Sequence, residues 1–143
     1  MTRSTTSAAS VLGAGAAYFG VVFFAGFVLG TIRVLVLVPV VGERYAELLE
    51  MPLMLTVVLV AARRMRVSRF GRLSERLAAG LFALALLLAA EFSLVLWMRG
   101  MTIGEYWESR DPVSGGAYLI SLVVFGVAPS MVGGRPAGVR ERG

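Results

Sequence analysis

The sequence lacks both cysteine and histidine, and each absence excludes a class of chemistry. Without cysteine there is no disulfide and no thiolate nucleophile, and without histidine there is no imidazole base and no histidine ligand for haem. Zinc sites built from these two residue types are excluded as well. Lysine is also absent, since all 14 basic residues are arginines, so lysine Schiff-base chemistry is excluded. We therefore expect no enzyme activity, no cofactor and no metal.

Long apolar runs take up most of the chain, which is 57% hydrophobic with a mean hydropathy of +0.79. A helix needs about 20 apolar residues to cross a bilayer. The sequence therefore predicts an all-α fold, an integral membrane four-helix bundle. The predicted spans are residues 11–38, 44–62, 77–98 and 113–132. We expect residues 1–10 to form a cytoplasmic segment before this transmembrane domain (11–132), and residues 133–143 to form a disordered cytoplasmic tail.

Turn and capping residues mark several helix boundaries. The stretch Pro39–Gly42 predicts a tight turn between the first two spans. Ser74 is a candidate N-cap for the third span. Asp111 followed by Pro112 predicts the start of the fourth span, because aspartate caps helices and proline suits their first position.

The connection between the third and fourth spans carries the signature of a short helix. Thr102 and Glu105 have the spacing of a capping box, in which each side chain bonds the backbone N–H of the other residue. Tyr106 and Trp107 follow, and such aromatic residues are enriched at membrane–water interfaces. The sequence therefore predicts a short interfacial helix anchored by these two side chains.

Arginine is divided unequally between the two faces of the predicted bundle. The connection 63–76 contains six arginines, and with Arg3 and the three of the tail this gives ten on one face. The other face has four: Arg33, Arg44, Arg99 and Arg110. Because loops rich in arginine stay in the cytoplasm, we predict a bacterial inner-membrane protein with both termini cytoplasmic. We expect the 63–76 loop to contact anionic lipid head groups, and we expect no nucleic-acid partner.

Three charged residues interrupt the apolar runs: Arg33, Glu50 and Glu91. Such a charge costs roughly 2.5–3.5 kcal/mol on membrane-insertion scales. At a rise of about 1.5 Å per residue, Arg33 and Glu50 lie at similar depths on either side of the predicted turn, and Glu91 lies in the same half of the bundle. Glu47 shares a helix face with Glu50. We therefore expect these four residues to form a polar centre between the helices.

Gly26 and Gly30 share the helix face of Arg33 and form a GxxxG pair. Pairs of this kind permit close approach between membrane helices. We predict that these glycines pack against other helices of the same chain. Arg33 would then point into the bundle and away from lipid.

The predicted polar centre has two main interpretations. In the structural one, the planar guanidinium of Arg33 pairs with two carboxylates and holds the helices together. The chain would then be a non-enzymatic structural or accessory protein, in a larger membrane complex. In the functional one, an unmatched carboxylate carries a proton in a small transporter or channel that acts as a homo-oligomer. The arginine disfavours a carboxylate metal site, and an enzyme acting on lipid is the weakest alternative.

Several short stretches of the sequence resemble a known family. They are Gly26–Arg33 (GFVLGTIR), Gly42-Glu43, Glu47–Pro52 (ELLEMP), Ala90-Glu91 and Ser109–Pro112 (SRDP). Together, over residues 17–131, they resemble a family of short, uncharacterised bacterial four-span inner-membrane proteins. The resemblance implies the fold and carries no activity to transfer. Small multidrug transporters share the length and the number of spans, but their essential glutamate lies in the first span, where this chain has Arg33.

Overall fold

The computed structural model describes residues 6–65 and 70–132, and every regular element in these stretches is helical. The helices are α1 (Ala8–Ile32), α2 (Val38–Val41), α3 (Glu43–Arg64), α4 (Leu73–Arg99), α5 (Ile103–Glu108) and α6 (Pro112–Val132). A π-helical turn, Arg33–Leu37, joins α1 to α2. The predictions for Arg3, for Arg66 and Arg69 of the loop, and for the tail 133–143 lie outside the described residues.

Within the described residues, four helical stretches are long and apolar enough to cross a membrane. They are Ala8–Val41, which runs through α1, the π turn and α2, and the helices α3, α4 and α6. The chain thus has the architecture of a multi-pass helical membrane protein. The first stretch has 34 residues, so at about 1.5 Å per residue it is roughly 50 Å long. This exceeds the hydrocarbon thickness of about 30 Å, so in a bilayer this helix has to tilt or extend beyond the hydrocarbon.

The long helices form a ring in which α1 packs on α4, α4 on α6, α6 on α3, and α3 on α1. The helices pack most closely at the end of the bundle opposite Gly42 and α5, which we call the closed end. Small residues at this end allow the helix backbones to contact each other. A Cβ added at Gly15 would lie 2.6 Å from the carbonyl oxygen of Ala79, and one at Gly80 would overlap the carbonyl oxygen of Gly126. The hydrophobic core cluster lies at this closed end, where it includes Val11, Tyr18, Ala62, Ala79 and Phe125.

Tyr18 of α1 reaches across the ring to α6. Its side chain stacks on Phe125 with ring centroids 4.8 Å apart, and its hydroxyl donates a 3.0 Å hydrogen bond to the Phe125 carbonyl. That carbonyl lacks its usual helical donor, because the residue four positions later is Pro129, which has no N–H. The Tyr18 hydroxyl therefore replaces the hydrogen bond that the proline removes.

We expect Tyr18→Phe to lower the free energy of unfolding by about 1–3 kcal/mol, because the Phe125 carbonyl would be buried without a donor. Adding Pro129→Ala supplies a backbone N–H and should restore part of the loss. Thermal unfolding in detergent micelles, followed by circular dichroism, measures both effects. Tyr45→Phe is the control, since Tyr45 is 64% exposed. If Pro129→Ala lowers the free energy of unfolding by the same amount in the natural protein and in Tyr18→Phe, the proposed link between Tyr18 and Pro129 is wrong.

The prediction of a turn over Pro39–Gly42 is wrong in its extent. Pro39 lies inside α2, and the chain reverses at Gly42 alone, where φ is +83°. A positive φ of this size favours glycine, which has no Cβ to clash with the backbone. In a regular α-helix the ring of Pro39 would clash with the carbonyl four residues earlier. That carbonyl belongs to the π turn, whose wider backbone leaves room for the ring, so the helix continues through Pro39.

The prediction of Ser74 as an N-cap is also wrong. Arg72 is the N-cap and α4 begins at Leu73. The reason is a hydrogen bond of 3.4 Å from the backbone N–H of Arg72 to Glu75 Oε2, which starts the helix two residues earlier. As a result Arg76, predicted to belong to the exposed loop, lies in the first turn of α4 and is buried.

Two predicted caps are confirmed. Thr102 Oγ1 accepts a 3.3 Å hydrogen bond from the Glu105 backbone, and Glu105 Oε2 accepts one of 2.8 Å from the Thr102 backbone. The hydrogen bonds from Thr102 lower the pKa of the Glu105 carboxyl below its usual value. Asp111 Oδ2 accepts 3.1 Å bonds from the backbone N–H groups of Val113 and Ser114, which caps α6 as the Asp-Pro pair predicts.

Candidate functional site

A cavity of about 300 Å³ lies between α1, α3, α4 and α6, toward the α5 end of the bundle. Small-molecule sites begin at about this volume. Its ionisable lining residues are Arg33, Glu47, Glu50, Glu91 and Arg110. All four residues of the predicted polar centre thus line one space, and Arg110 is added to them. The remaining lining is mostly apolar, with aromatic and methionine side chains from three helices.

Arg33 links α1 to α3 through two carboxylates. Its Nε lies 3.2 Å from Glu50 Oε2, and its Nη1 lies 3.5 Å from Glu47 Oε1. The two glutamates are three residues apart and so project from the same face of α3. One planar guanidinium is able to pair with both. Arg33 therefore contacts both carboxylates of α3, with one positive charge between two acidic groups.

Glu91 projects from α4 into the same cavity and is half-buried. Within residues 6–65 and 70–132, neither a hydrogen bond nor an ion pair reaches its carboxylate. The charge of Arg110 acts on it through space, although no nitrogen of Arg110 lies within the 4.0 Å of an ion pair. Glu91 is therefore the carboxylate of this cavity that the described part of the chain leaves without a paired charge.

Arg110 lies in the connection between α5 and α6, and its side chain turns back into the cavity. Its guanidinium carbon lies 4.2 Å from the ring centroid of Tyr118 and 5.1 Å from that of Tyr106. Its Nε also donates a 3.1 Å hydrogen bond to the Tyr106 hydroxyl. Sequence reasoning used Arg110 only to predict orientation. The four-residue spacing from Tyr106 was a local signal, whereas the contact with Tyr118 depends on how the connection folds back.

An ion pair between Arg44 and Asp111 ties α3 to α6 beside the cavity, at the α5 end. Arg44 belongs to the first turn of α3, and Asp111 is the residue that caps α6. The hydrogen bond from Arg44, together with that from the Ser114 backbone, holds the pKa of Asp111 below its usual range. An ion pair therefore links the start of α6 to the start of α3, in addition to the packing of the two helices.

Gly26 and Gly30 both line the cavity, where they face side chains of α3. A Cβ added at Gly26 would lie 3.3 Å from the terminal methyl carbon of Met54. One at Gly30 would lie 4.0 Å from a carboxylate oxygen of Glu50. The absence of side chains at these positions leaves room for Met54 and for the pair that Glu50 makes with Arg33.

The two predicted aromatic anchors have different surroundings. Tyr106 is half-buried, and its hydroxyl accepts the hydrogen bond from Arg110. Trp107 is 56% exposed on the adjacent surface of α5. The exposed indole is available to a membrane interface, whereas Tyr106 belongs to the wall around Arg110.

The described residues include no group of three or more Asp and Glu side chains arranged to hold a metal ion. The cavity instead offers one unpaired carboxylate, the ring of Tyr118 and an apolar wall. A carboxylate and aromatic faces both attract cations. The lining therefore combines groups that attract a positive charge with an apolar wall.

Comparisons of the chain with protein-family models, with curated proteins and with solved structures found no match. The resemblance to bacterial four-span membrane proteins therefore stays a prediction. The function has to be argued from the cavity and its charges.

Proposed function

We propose that the chain is a small proton-coupled membrane transporter that binds a monovalent organic cation in its cavity. The observation that carries the proposal is Glu91, a carboxylate that faces the cavity without an ion-pair partner among the described residues. The other two carboxylates of the cavity, Glu47 and Glu50, both form ion pairs with Arg33.

An uncompensated carboxylate is costly inside an apolar bundle, so it favours binding a proton or another cation. When a cation arrives, the O–H bond of the protonated carboxyl breaks and the proton leaves to water. One positive charge then replaces another at Glu91, and the charge of the cavity is unchanged. This exchange is the elementary step of a proton-coupled antiporter.

The apolar part of the cavity supports an organic cation over a hydrated metal ion. Phe23, Met51, Met54 and Phe125 belong to its lining, and they offer no oxygen ligands to replace the water of an inorganic ion. An organic cation instead places its apolar body against these side chains and its charge near Glu91. Aromatic and thioether groups suit such a ligand, because both are polarisable.

We expect Glu91→Gln to abolish cation-driven proton movement. Purified protein is reconstituted into vesicles that contain a pH-sensitive dye, and quaternary ammonium and guanidinium salts are added outside one at a time. At least one salt should cause protons to leave vesicles with the natural protein and not those with Glu91→Gln. Glu43→Gln is the matched control, since Glu43 is exposed at the start of α3 and does not line the cavity.

Either of two results would contradict this proposal. One is that Glu91→Gln gives the same proton flux as the Glu43→Gln control, and the other is that the natural protein gives no flux with any salt tested. In both cases the folded state of each variant is checked by gel filtration and circular dichroism, so that misfolding is not read as lost transport.

A second candidate function is a non-enzymatic structural or accessory protein, and the pairing of Arg33 with Glu47 and Glu50 favours it. Here the charged centre holds α1 against α3 and has no ligand. Native mass spectrometry after gentle extraction separates the two candidates. A stoichiometric partner polypeptide supports the accessory protein, and a partner-free homo-oligomer supports the transporter.

The proposed location is the inner membrane of a bacterium, with both termini in the cytoplasm. The unequal distribution of arginine supports this orientation. In this arrangement α5 lies at the outer interface with Trp107 as its anchor, and the exposed residues Arg63, Arg64 and Arg72 contact anionic lipid head groups on the inner face. No cofactor, metal or nucleic acid takes part in the proposed function.

A further inference from the structure

We infer that the ligand of the cavity is a guanidinium compound, which takes the place of the Arg110 guanidinium over Tyr118 and pairs with Glu91. The inference rests on the proposed function, because it assumes that the cavity binds a cation. It adds the class of cation and assigns to Arg110 the role of an internal competitor.

The first argument is that this place in the cavity already contains a guanidinium. Arg110 lies over the Tyr118 ring at 4.2 Å and donates a hydrogen bond to the Tyr106 hydroxyl. Its charge also acts on Glu91. Two aromatic rings and a hydroxyl acceptor thus surround a planar cation, and Glu91 lines the same cavity, which together make the environment that a guanidinium ligand requires.

The second argument is that Arg110 donates two hydrogen bonds to the Tyr106 hydroxyl but lacks the ion pair that other arginines of this region have. Arg33 pairs with two carboxylates, and Arg44 pairs with Asp111. In the described part of the chain, Arg110 makes no ion pair and is bound by uncharged tyrosines. It also lies in the non-helical connection between α5 and α6, so its side chain is able to turn toward water without disturbing a helix.

The third argument concerns the shape of the ligand. A guanidinium is flat, so it stacks on Tyr118 as Arg110 does, and its N–H donors form two parallel hydrogen bonds with a carboxylate such as Glu91. A tetrahedral quaternary ammonium has the charge but neither the plane nor the donors. The apolar space beside Phe125 and Met54 receives a carbon substituent on the guanidinium. An aryl guanidinium therefore fits every part of the lining.

The experiment measures the binding of phenylguanidinium to detergent-solubilised protein by isothermal titration calorimetry. Two further ligands separate charge from shape: phenylurea is a neutral analogue of similar shape, and tetramethylammonium is a cation without N–H donors. We expect phenylguanidinium to bind and phenylurea not to bind. Arg110→Ala should strengthen phenylguanidinium binding by about tenfold, since a cation–π contact no longer has to be displaced.

Arg99→Ala is the matched control, because it removes the same charge from an exposed residue outside the cavity. Equal or weaker binding by Arg110→Ala, compared with this control, would overturn the inference. If Arg110→Ala does not fold, Tyr118→Leu replaces it as the test, with Tyr118→Phe keeping the aromatic face. Tyr118→Leu should weaken binding about tenfold, and unchanged binding would contradict the inference.

The outcomes also separate this inference from the proposed function. If tetramethylammonium binds as well as phenylguanidinium, and binding still requires Glu91, the guanidinium class is wrong while the cation site stands. If Glu91→Gln leaves proton flux and the binding of every cation unchanged, the proposed function fails and the inference fails with it.

Discussion

Replacing Gly80 by alanine is expected to destabilise the bundle by about 3 kcal/mol, the upper part of the usual range for overpacked sites. The added Cβ would overlap the carbonyl oxygen of Gly126 and lie 3.3 Å from Cδ of Pro129. Both obstacles belong to the backbone or to a ring fixed to it, so no rotamer change relieves them. The helices α4 and α6 would have to separate at the closed end of the bundle.

Gly116→Ala is the control for this prediction. Gly116 also lies in α6, but no atom within 4 Å would meet its added Cβ. Because alanine favours a helix over glycine by about 1 kcal/mol, this variant should be as stable as the natural protein or more so. Unfolding by denaturant in mixed micelles, followed by circular dichroism, compares the two. Equal stability of both variants would show that α4 and α6 are not in backbone contact at Gly80.

Removing the charge of Arg33 is expected to have a comparable effect. Arg33→Gln leaves the carboxylates of Glu47 and Glu50 close together without their counter-charge, at a cost of about 3 kcal/mol. The double variant Arg33→Gln with Glu50→Gln removes one of these two charges and should be more stable than Arg33→Gln alone. The same unfolding measurement applies, with Arg99→Gln at the exposed end of α4 as the control.

This double-variant cycle also tests the structural candidate for the function. A coupling free energy near zero, with the double variant as damaging as the sum of the single ones, would mean that Arg33 does not hold α1 to α3. A large coupling with normal proton flux in the folded double variant would place the role of Arg33 in packing alone. Transport, if present, would then depend on Glu91 and not on the α3 carboxylates.

The long helices could be predicted from the sequence because hydropathy over about 20 residues is a local property. The start of α6 was equally local, since Asp111 and Pro112 are sufficient to cap and begin a helix. The end of the first helical stretch could not be predicted in this way. Pro39 normally interrupts a helix, and the sequence gives no sign of the π turn that lets the helix continue to Val41.

The candidate site was partly predictable for a similar reason. A hairpin fixes the relative depth of residues on its two arms, so Arg33, Glu47 and Glu50 could be placed together by counting from the turn. Glu91 could be assigned to the same half of the bundle, but its lack of an ion pair depends on distances between α4 and the other helices. Arg110 was missed because it enters the cavity from a connection, where no helical period specifies its direction.

The close contacts at the closed end show a further limit of sequence reasoning. The GxxxG pair Gly26 and Gly30 was the visible motif, yet the backbones meet at Gly15 and Gly80, which belong to no such pair. A glycine serves close packing only if a neighbouring helix passes directly over it. That condition depends on the crossing of two helices, and the sequence of one helix does not contain it.

The π turn at residues 33–37 also changes how the first 34-residue helix relates to its surroundings. A π turn contains about one residue more than an α turn, and one residue corresponds to about 100° of rotation in an α-helix. A helical wheel drawn for the residues up to Ile32 therefore does not apply to the residues from Val38 onward. Before the π turn the helix presents one stripe of side chains to α4, and after it, at the α2 end, the stripe is rotated. Mutational scans across residues 33–37 therefore have to be interpreted as two separate surfaces.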